Sequence, residues 1–357
     1  MPPNTERNLS PELGREELLG RYRKPVHGEM RQLLQGEGGD LARMFEYHLG
    51  FRNSDGLYIP DKRSDGKGTR STLCLLTVDA TSGDWQSAVP AGVAFDFFHN
   101  ATLIQDDVFD KDEKRYGRPA LRQIWGDSQA INTGNAAFEF SSNAMLSLAE
   151  KGHEPERVLH AMKLLTDARI QVHEGQMLDI DFERRPDISD EEYFKMIRGK
   201  TGVLVETAVA VGALLGSADD ETTAHLIKYG SSMGLASQLA NDYYGIWGDP
   251  TKTGMTVGGD IQRRKKSFPV IHAMNHGGEE TKALLQATFT KDRELDTNDV
   301  QRVLLLLEDI GSKDETQRRI AKATDSAVEA INHANINKAK KTDYLNLTTM
   351  YSQYARE

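Results

Sequence analysis

Apolar residues at helical spacing run from about Val89 to Asp110, and the run ends in Leu103-Ile-Gln-Asp-Asp-Val-Phe-Asp110. That ending constrains the chain more than any other stretch. The residues before it are too apolar for a surface helix, yet its last turn carries three carboxylates. Asp106 and Asp110 are four apart and Asp107 and Asp110 are three apart, so all three share one helical face. Like charges on one face destabilise a helix unless a cation occupies the space between them. The chemical use of such a cluster is to hold Mg2+ against the oxygens of a phosphorylated substrate. A solvated acidic helix end is the plain alternative. The apolar run before the cluster and a second carboxylate stretch downstream argue against it.

The same spacing recurs along most of the chain. Residues 1–15, with Pro2, Pro3 and Pro11, read as a flexible arm. The helical pattern from about Glu16 to Leu49 breaks at Gly36, Gly38 and Gly39, and residues 50–66 are turn-rich. Further helical runs begin at Ser71 and Val89. Others cover roughly 128–149, 154–182, 190–216, 221–248, 266–275, 278–287, 297–311 and 314–338. Strand alternation is nearly absent, and neither a βαβ rhythm nor a glycine-rich nucleotide loop is seen. The expectation is an all-α helical bundle forming one domain over residues 16–357, with functional side chains facing inward.

Cys74 is the only cysteine, which excludes an intramolecular disulfide and fits a reducing, cytoplasmic setting. No run has the length of a membrane span or the pattern of a signal peptide. A net charge of -10 argues against a nucleic-acid partner.

The second acidic stretch is Gln238-Leu-Ala-Asn-Asp-Tyr-Tyr-Gly-Ile-Trp-Gly-Asp249, in which Gln238, Asn241 and Asp242 are expected to offer oxygens near one face. Between the stretches lies Arg198-Gly-Lys-Thr-Gly202, and after the second lies Arg263-Arg-Lys-Lys-Ser267. Carboxylates on two helices with lysines between them suit a diphosphate, whose charge must be neutralised as it departs.

These residues resemble the polyprenyl (isoprenyl) diphosphate synthase family, of the class I isoprenoid synthases, from about Gly66 to Pro269. The resemblance implies an all-helical fold with a central cavity, three Mg2+ ions and a homodimer. It also implies the joining of an allylic diphosphate to isopentenyl diphosphate, with the departing diphosphate as the final base. The family's grip on isopentenyl diphosphate is matched by Lys67 and Arg70, and His99 stands seven residues before Asp106. The metal ligands it implies are Asp106, Asp107, Asp110, Asn241 and Asp242. Arg115 matches the grip on the allylic diphosphate. The Gly-Gln helix is matched by Gly175, Gln176 and Asp179, the Lys-Thr pair by Lys200 and Thr201, and the trailing lysine by Lys265, with Lys266 as an adjacent candidate.

The chain departs from the family pattern at several positions. Tyr116 replaces an arginine that grips isopentenyl diphosphate, and a neutral hydroxyl cannot form a bidentate charged grip. Asn241 stands at the first aspartate of the second motif and Gly245 at its third. Met255 stands for a lysine and Gly68 for an arginine. Three readings follow. Chain elongation explains Lys67, Arg70 and His99. A class I terpene cyclase acting on one prenyl diphosphate explains Tyr116 and Met255, with Phe98, Tyr243, Tyr244 and Trp247 as aromatic faces for a carbocation. A non-catalytic partner subunit would be expected to lose its first aspartate motif, which is whole here. For product length, Thr102, Ala101 and Phe98 set successive depths along the helix before Asp106. Two small residues followed by Phe98 imply a C20 product, geranylgeranyl diphosphate.

Overall fold

Helical periodicity becomes helix along nearly the whole described chain, and local chemistry sets where each helix starts and stops. The computed structural model describes residues 11–59, 66, 68–248 and 257–352. In chain order the helices are α1 (Pro11–Glu37), α2 (Asp40–His48), α3 (Thr69–Thr81), α4 (Val89–Phe109), α5 (Leu121–Leu146), α6 (Pro155–Arg184), α7 (Asp190–Ile197) and α8 (Val203–Leu215). They continue with α9 (Asp220–Trp247), α10 (Gly259–Gln262), α11 (Phe268–His276), α12 (Gly278–Phe289), α13 (Thr297–Asp309), α14 (Ser312–His333) and α15 (Lys338–Ser352). The strands β1 (Lys114–Arg115) and β2 (Arg118–Pro119) form one antiparallel hairpin.

Four boundaries differ from expectation, each for a local reason. α1 starts at Pro11, inside the expected arm, because a first-turn proline lacks only an N–H that helices leave unpaired. α5 begins at Leu121 but is kinked at Gly126, whose φ of 79° breaks the helical pattern. The run 190–216 divides at Arg198–Gly202, a π-helical turn in which the Val203 N–H reaches back to the Arg198 carbonyl. The last run stops at His333, and α15 is an additional helix whose lysine-rich start hides its apolar face. Elsewhere caps decide: Ser189 with Glu192 and Asp296 with Asp299 form capping boxes at α7 and α13.

The helices gather into two compact units. One comprises the described residues within Met1–Thr166, Thr207–Leu226 and Ala334–Asn346. Its centre is α4, which packs on α1, α3 and α5 and buries Phe95, Phe97 and Phe98 completely. The other comprises those within Asp167–Glu206, Ile227–His333 and Leu347–Glu357. Its core joins Tyr193, Leu239, Tyr243, Phe268 and Ile320, and a second cluster joins Ile246, Ile261, Leu285 and Leu307. Among the described residues no helix is long and apolar enough to cross a membrane.

Candidate active site

In the first unit, burial of α4 carries its acidic end to a fixed place. Asp110 is the C-cap residue, its N–H bonded to the Asp106 carbonyl at 2.8 Å. Carboxylates at a helix C-terminus oppose the macrodipole, and α4 has no basic residue in its last turn to relieve them. The three aspartates are not equivalent. Asp107 is 1% exposed, and Arg115 donates to its Oδ1 through Nε at 2.7 Å and through Nη2. Burial pushes the Asp107 carboxyl up and the Arg115 bond pulls it down. Its Oδ2 is buried without a hydrogen-bond partner. Asp106 is half-buried and Asp110 exposed. The unsatisfied oxygen suits a hard cation, although among the described residues no three histidine, cysteine or acidic side chains are placed to hold one together.

Arg115 is aimed by the hairpin. Tyr116 and Gly117 form its two-residue turn with φ of 54° and 74°, both positive, as the favoured hairpin turn requires. Tyr116 is 39% exposed at that tip. Arg118 fixes the far strand by donating to the carbonyls of Tyr47 at 2.7 Å and His48 at 3.0 Å, at the end of α2.

Two to three turns before Asp106, α4 faces the start of α3. Buried Asp96 accepts from the Ser71 hydroxyl at 2.8 Å. Burial pushes its carboxyl up to about 6, against the Ser71 bond and the charges of Arg70 and Arg23. His99 is held well below the ordinary histidine range by burial, then by the charges of Arg70, Arg115 and His48. His48 donates to the Asn100 Oδ1 at 3.1 Å, and burial with the nearby Arg115 lowers it to about 3. Both imidazoles are therefore neutral at neutral pH. Arg70 and His99, expected in one grip, lie within electrostatic reach of each other. Lys67 lies outside the described residues.

In the second unit the π-helical turn sets Lys200 and Thr201. Its backbone presses on α6 so closely that a Cβ on Gly175 would sit 2.1 Å from the Lys200 nitrogen, which only glycine permits. Lys200 then reaches Asp179 on α6 at 2.6 Å, and the Thr201 hydroxyl donates to Gln238 Oε1 on α9 at 2.8 Å. Gln238 passes the chain on, donating to Asp242 Oδ1 at 3.0 Å. Asp242 Oδ2 accepts from Tyr193, and from the Phe268 N–H at 2.8 Å. Asp242 is thus 1% exposed and saturated by protein donors. Burial raises its carboxyl, and the Lys265 charge opposes the shift. Burial lowers the Lys265 ammonium, but Asp260, Asp242 and Asp179 outweigh it and the net shift is upward.

The expected common face of Gln238, Asn241 and Asp242 is therefore divided. Asn241 is exposed, whereas Gln238 and Asp242 are bound to each other. Lys266 separates from Lys265 as well: its ammonium donates to the carbonyls of Phe182 at 2.7 Å and Glu183 at 3.1 Å, and to that of Arg185, closing the end of α6. Tyr243 is buried in the core of this unit, and Tyr244 and Trp247 pack against it half-buried. Asp249 and Met255 lie outside the described residues.

The polyprenyl synthetase family model matches residues 60–307. A geranylgeranyl diphosphate synthase of Mycobacterium tuberculosis is 33% identical over 314 residues, covering 88% of this chain and 88% of its own length. The chain belongs to the polyprenyl synthetase family. A (2E,6E)-farnesyl diphosphate synthase of the same species is 33% identical over 261 residues, 73% of this chain and 71% of that one. The crystal structure of a polyprenyl synthetase from Streptomyces coelicolor A3(2) superposes with a TM-score of 0.86 at 30% identity, covering 94% of this chain and 99% of that one. The fold is the isoprenoid synthase helical bundle, and the protein is an isoprenyl diphosphate synthase, a prenyltransferase.

In this polyprenyl synthetase two residues outside the motifs contact the second acidic stretch. Tyr193 was hidden because its partner Asp242 is forty-nine positions away. Asp260 lay unmarked because it stands outside both acidic stretches, yet a Cβ on Gly245 would sit 2.1 Å from its Oδ2. The room that the family's third aspartate would enter is filled by a carboxylate from α10.

Proposed function

We propose that this synthase elongates: it joins an allylic prenyl diphosphate to isopentenyl diphosphate, and its product is C20 geranylgeranyl diphosphate. The observation that carries the reading is the Arg70 and His99 grouping beside buried Asp96. An enzyme that ionises one diphosphate alone has no use for a second anion grip. The 33% identity to a geranylgeranyl diphosphate synthase supports the same product class.

Within the first unit Asp106 and Asp110 would hold Mg2+, with Asp107 behind them orienting Arg115. Within the second unit Asn241 would offer an exposed oxygen, with Asp242 behind it orienting Gln238. Bound Mg2+ supplies charge neutralisation for the leaving diphosphate. Within the first unit Arg115 would add a fixed cation for diphosphate oxygens, and within the second unit Lys200 and Lys265 would do so, with the Thr201 hydroxyl as a further donor. Neutral His99 offers a donor to the second diphosphate without charge repulsion from Arg70. Exposed Ile170 (55%) and Met177 (62%) on α6 suit a homodimer surface, which sedimentation would test.

Incubation with Mg2+ and a labelled allylic diphosphate, with and without isopentenyl diphosphate, tests the reading. A longer diphosphate formed only with both substrates is expected. A hydrocarbon or terpenol from the allylic substrate alone would establish the cyclase reading instead. No turnover would point to a non-catalytic subunit.

Product length has its own support on α4. Ala101 and Phe98 are buried and Thr102 is half-buried, and the Phe98 ring meets Phe138 edge-on with centroids 5.7 Å apart. A ring braced in that way is a fixed floor, and one helical turn adds about 5 Å of depth, roughly one isoprene unit. Ala101→Phe should raise the floor and shift the product toward fifteen carbons. An unchanged product distribution would remove position 101 from the cavity wall.

A further inference from the structure

Gly68 stands where the family's grip on isopentenyl diphosphate carries an arginine, and another arginine occupies the adjoining space. A Cβ on Gly68 would lie 3.6 Å from Nε and 3.8 Å from Cγ of Arg23, which comes from α1. Gly68 is also the N-cap of α3, with a φ of 61°. An arginine at that position would hold a strained left-handed backbone, a cost the glycine avoids. Arg23 is thereby laid against the first turn of α3, a helix end whose dipole favours an anion. The same arginine acts, with Arg70, on the Asp96 carboxylate, and Arg70 in turn acts on His99. Two guanidinium groups from different helices therefore converge beside one buried acid, next to the histidine already placed in the grip.

Resting on the elongation reading above, we infer that Arg23 binds the diphosphate of isopentenyl diphosphate, supplying from α1 the guanidinium that position 68 lacks. The planar fork gives two parallel N–H donors to a phosphate, which the Tyr116 hydroxyl cannot provide. The grip is thus rebuilt from the opposite side instead of being weakened. Buried Asp96 keeps the two arginines from repelling each other before the anion arrives.

The test is the kinetics of Arg23→Gln and Arg23→Lys. It needs Michaelis constants for both substrates, calorimetric binding of isopentenyl diphosphate alone, and thermal unfolding of each variant. Arg23→Gln should raise KM and Kd for isopentenyl diphosphate by about ten- to a hundredfold. KM for the allylic substrate should stay within about twofold, because only one substrate's binding is touched. Arg23→Lys should recover part of the loss. A folded Arg23→Gln enzyme with unchanged KM and Kd for isopentenyl diphosphate overturns the assignment. Equal losses for both substrates with a lowered Tm also overturn it, by making Arg23 a packing residue. Failure of the elongation reading itself is seen separately, as wild-type protein that makes no longer diphosphate.

Discussion

The two acidic stretches look alike in sequence and are built in opposite ways. At the end of α4 the carboxylates oppose their own helix dipole and differ in burial: Asp110 is exposed, Asp106 half-buried, and Asp107 is buried and held by Arg115. On α9 the central carboxylate of the stretch, Asp242, is sealed, with Tyr193, Gln238 and the Phe268 N–H on its oxygens. If the first stretch binds Mg2+ as proposed, the cation meets carboxylates that solvent can also reach. The second spends its charge on holding α7, α9 and the start of α11 together. Identical side chains are thus left partly open to solvent in one unit and sealed by hydrogen bonds in the other, and the difference is set by which neighbouring donors reach them.

The sharpest way to break this contrast is to remove each carboxylate and measure two quantities. Asp242→Ala strands a buried tyrosine hydroxyl and a buried N–H, and leaves Lys265 with less counter-charge. Removing one partner of such a network costs about 3–5 kcal/mol, so urea unfolding should show a loss of that order together with lost activity. A variant as stable as wild type would mean that Asp242 is not the structural centre of its unit. Asp106→Ala should do the reverse. Relief at a helix C-terminus keeps stability within about 1 kcal/mol, whereas turnover should fall by at least about a hundredfold. Near-normal turnover with saturating Mg2+ would remove Asp106 from the metal site.

Much of the fold could be read directly, because helical periodicity survives wherever a helix buries one face, as on α4 and α9. The reading failed where backbone geometry overrode pattern. Gly126 kinks α5 without ending it, and the turn at Arg198–Gly202 interrupts a run whose apolar spacing continues through it. Candidate site residues were legible where the proposed ligand chemistry is local, as in the carboxylates one turn apart on α4. Those defined by a partner far along the chain were not, since nothing in the residues around Tyr193 or Asp260 points to Asp242 or Gly245. Departures from the family motif were legible as losses only. That Arg23 lies against Gly68, and Asp260 against Gly245, needs three dimensions.

The smallest expected effect tests this last point on the α9 side. If Gly245 were a simple loss, restoring the family residue with Gly245→Asp should strengthen the second acidic stretch and lower the Mg2+ concentration needed for half-maximal rate. The structure argues otherwise, because the new Cβ would sit 2.1 Å from Oδ2 and 2.3 Å from Cγ of Asp260, inside van der Waals contact. Asp260 is buried and Arg263 donates to its Oδ1 at 2.9 Å, so it has a partner holding it in place. Crowding at a close-packed site costs about 1–3 kcal/mol, and a second carboxylate against the first adds like-charge repulsion. Gly245→Asp should therefore lower stability by about that amount without improving the Mg2+ requirement. The double variant Gly245→Asp/Asp260→Gly moves the carboxylate to the family's position and opens the space it needs. Partial recovery of stability in the double variant over Gly245→Asp alone is the expected result. If the single variant is already as stable as wild type and needs less Mg2+, the carboxylate of Asp260 does not occupy the place of the missing aspartate.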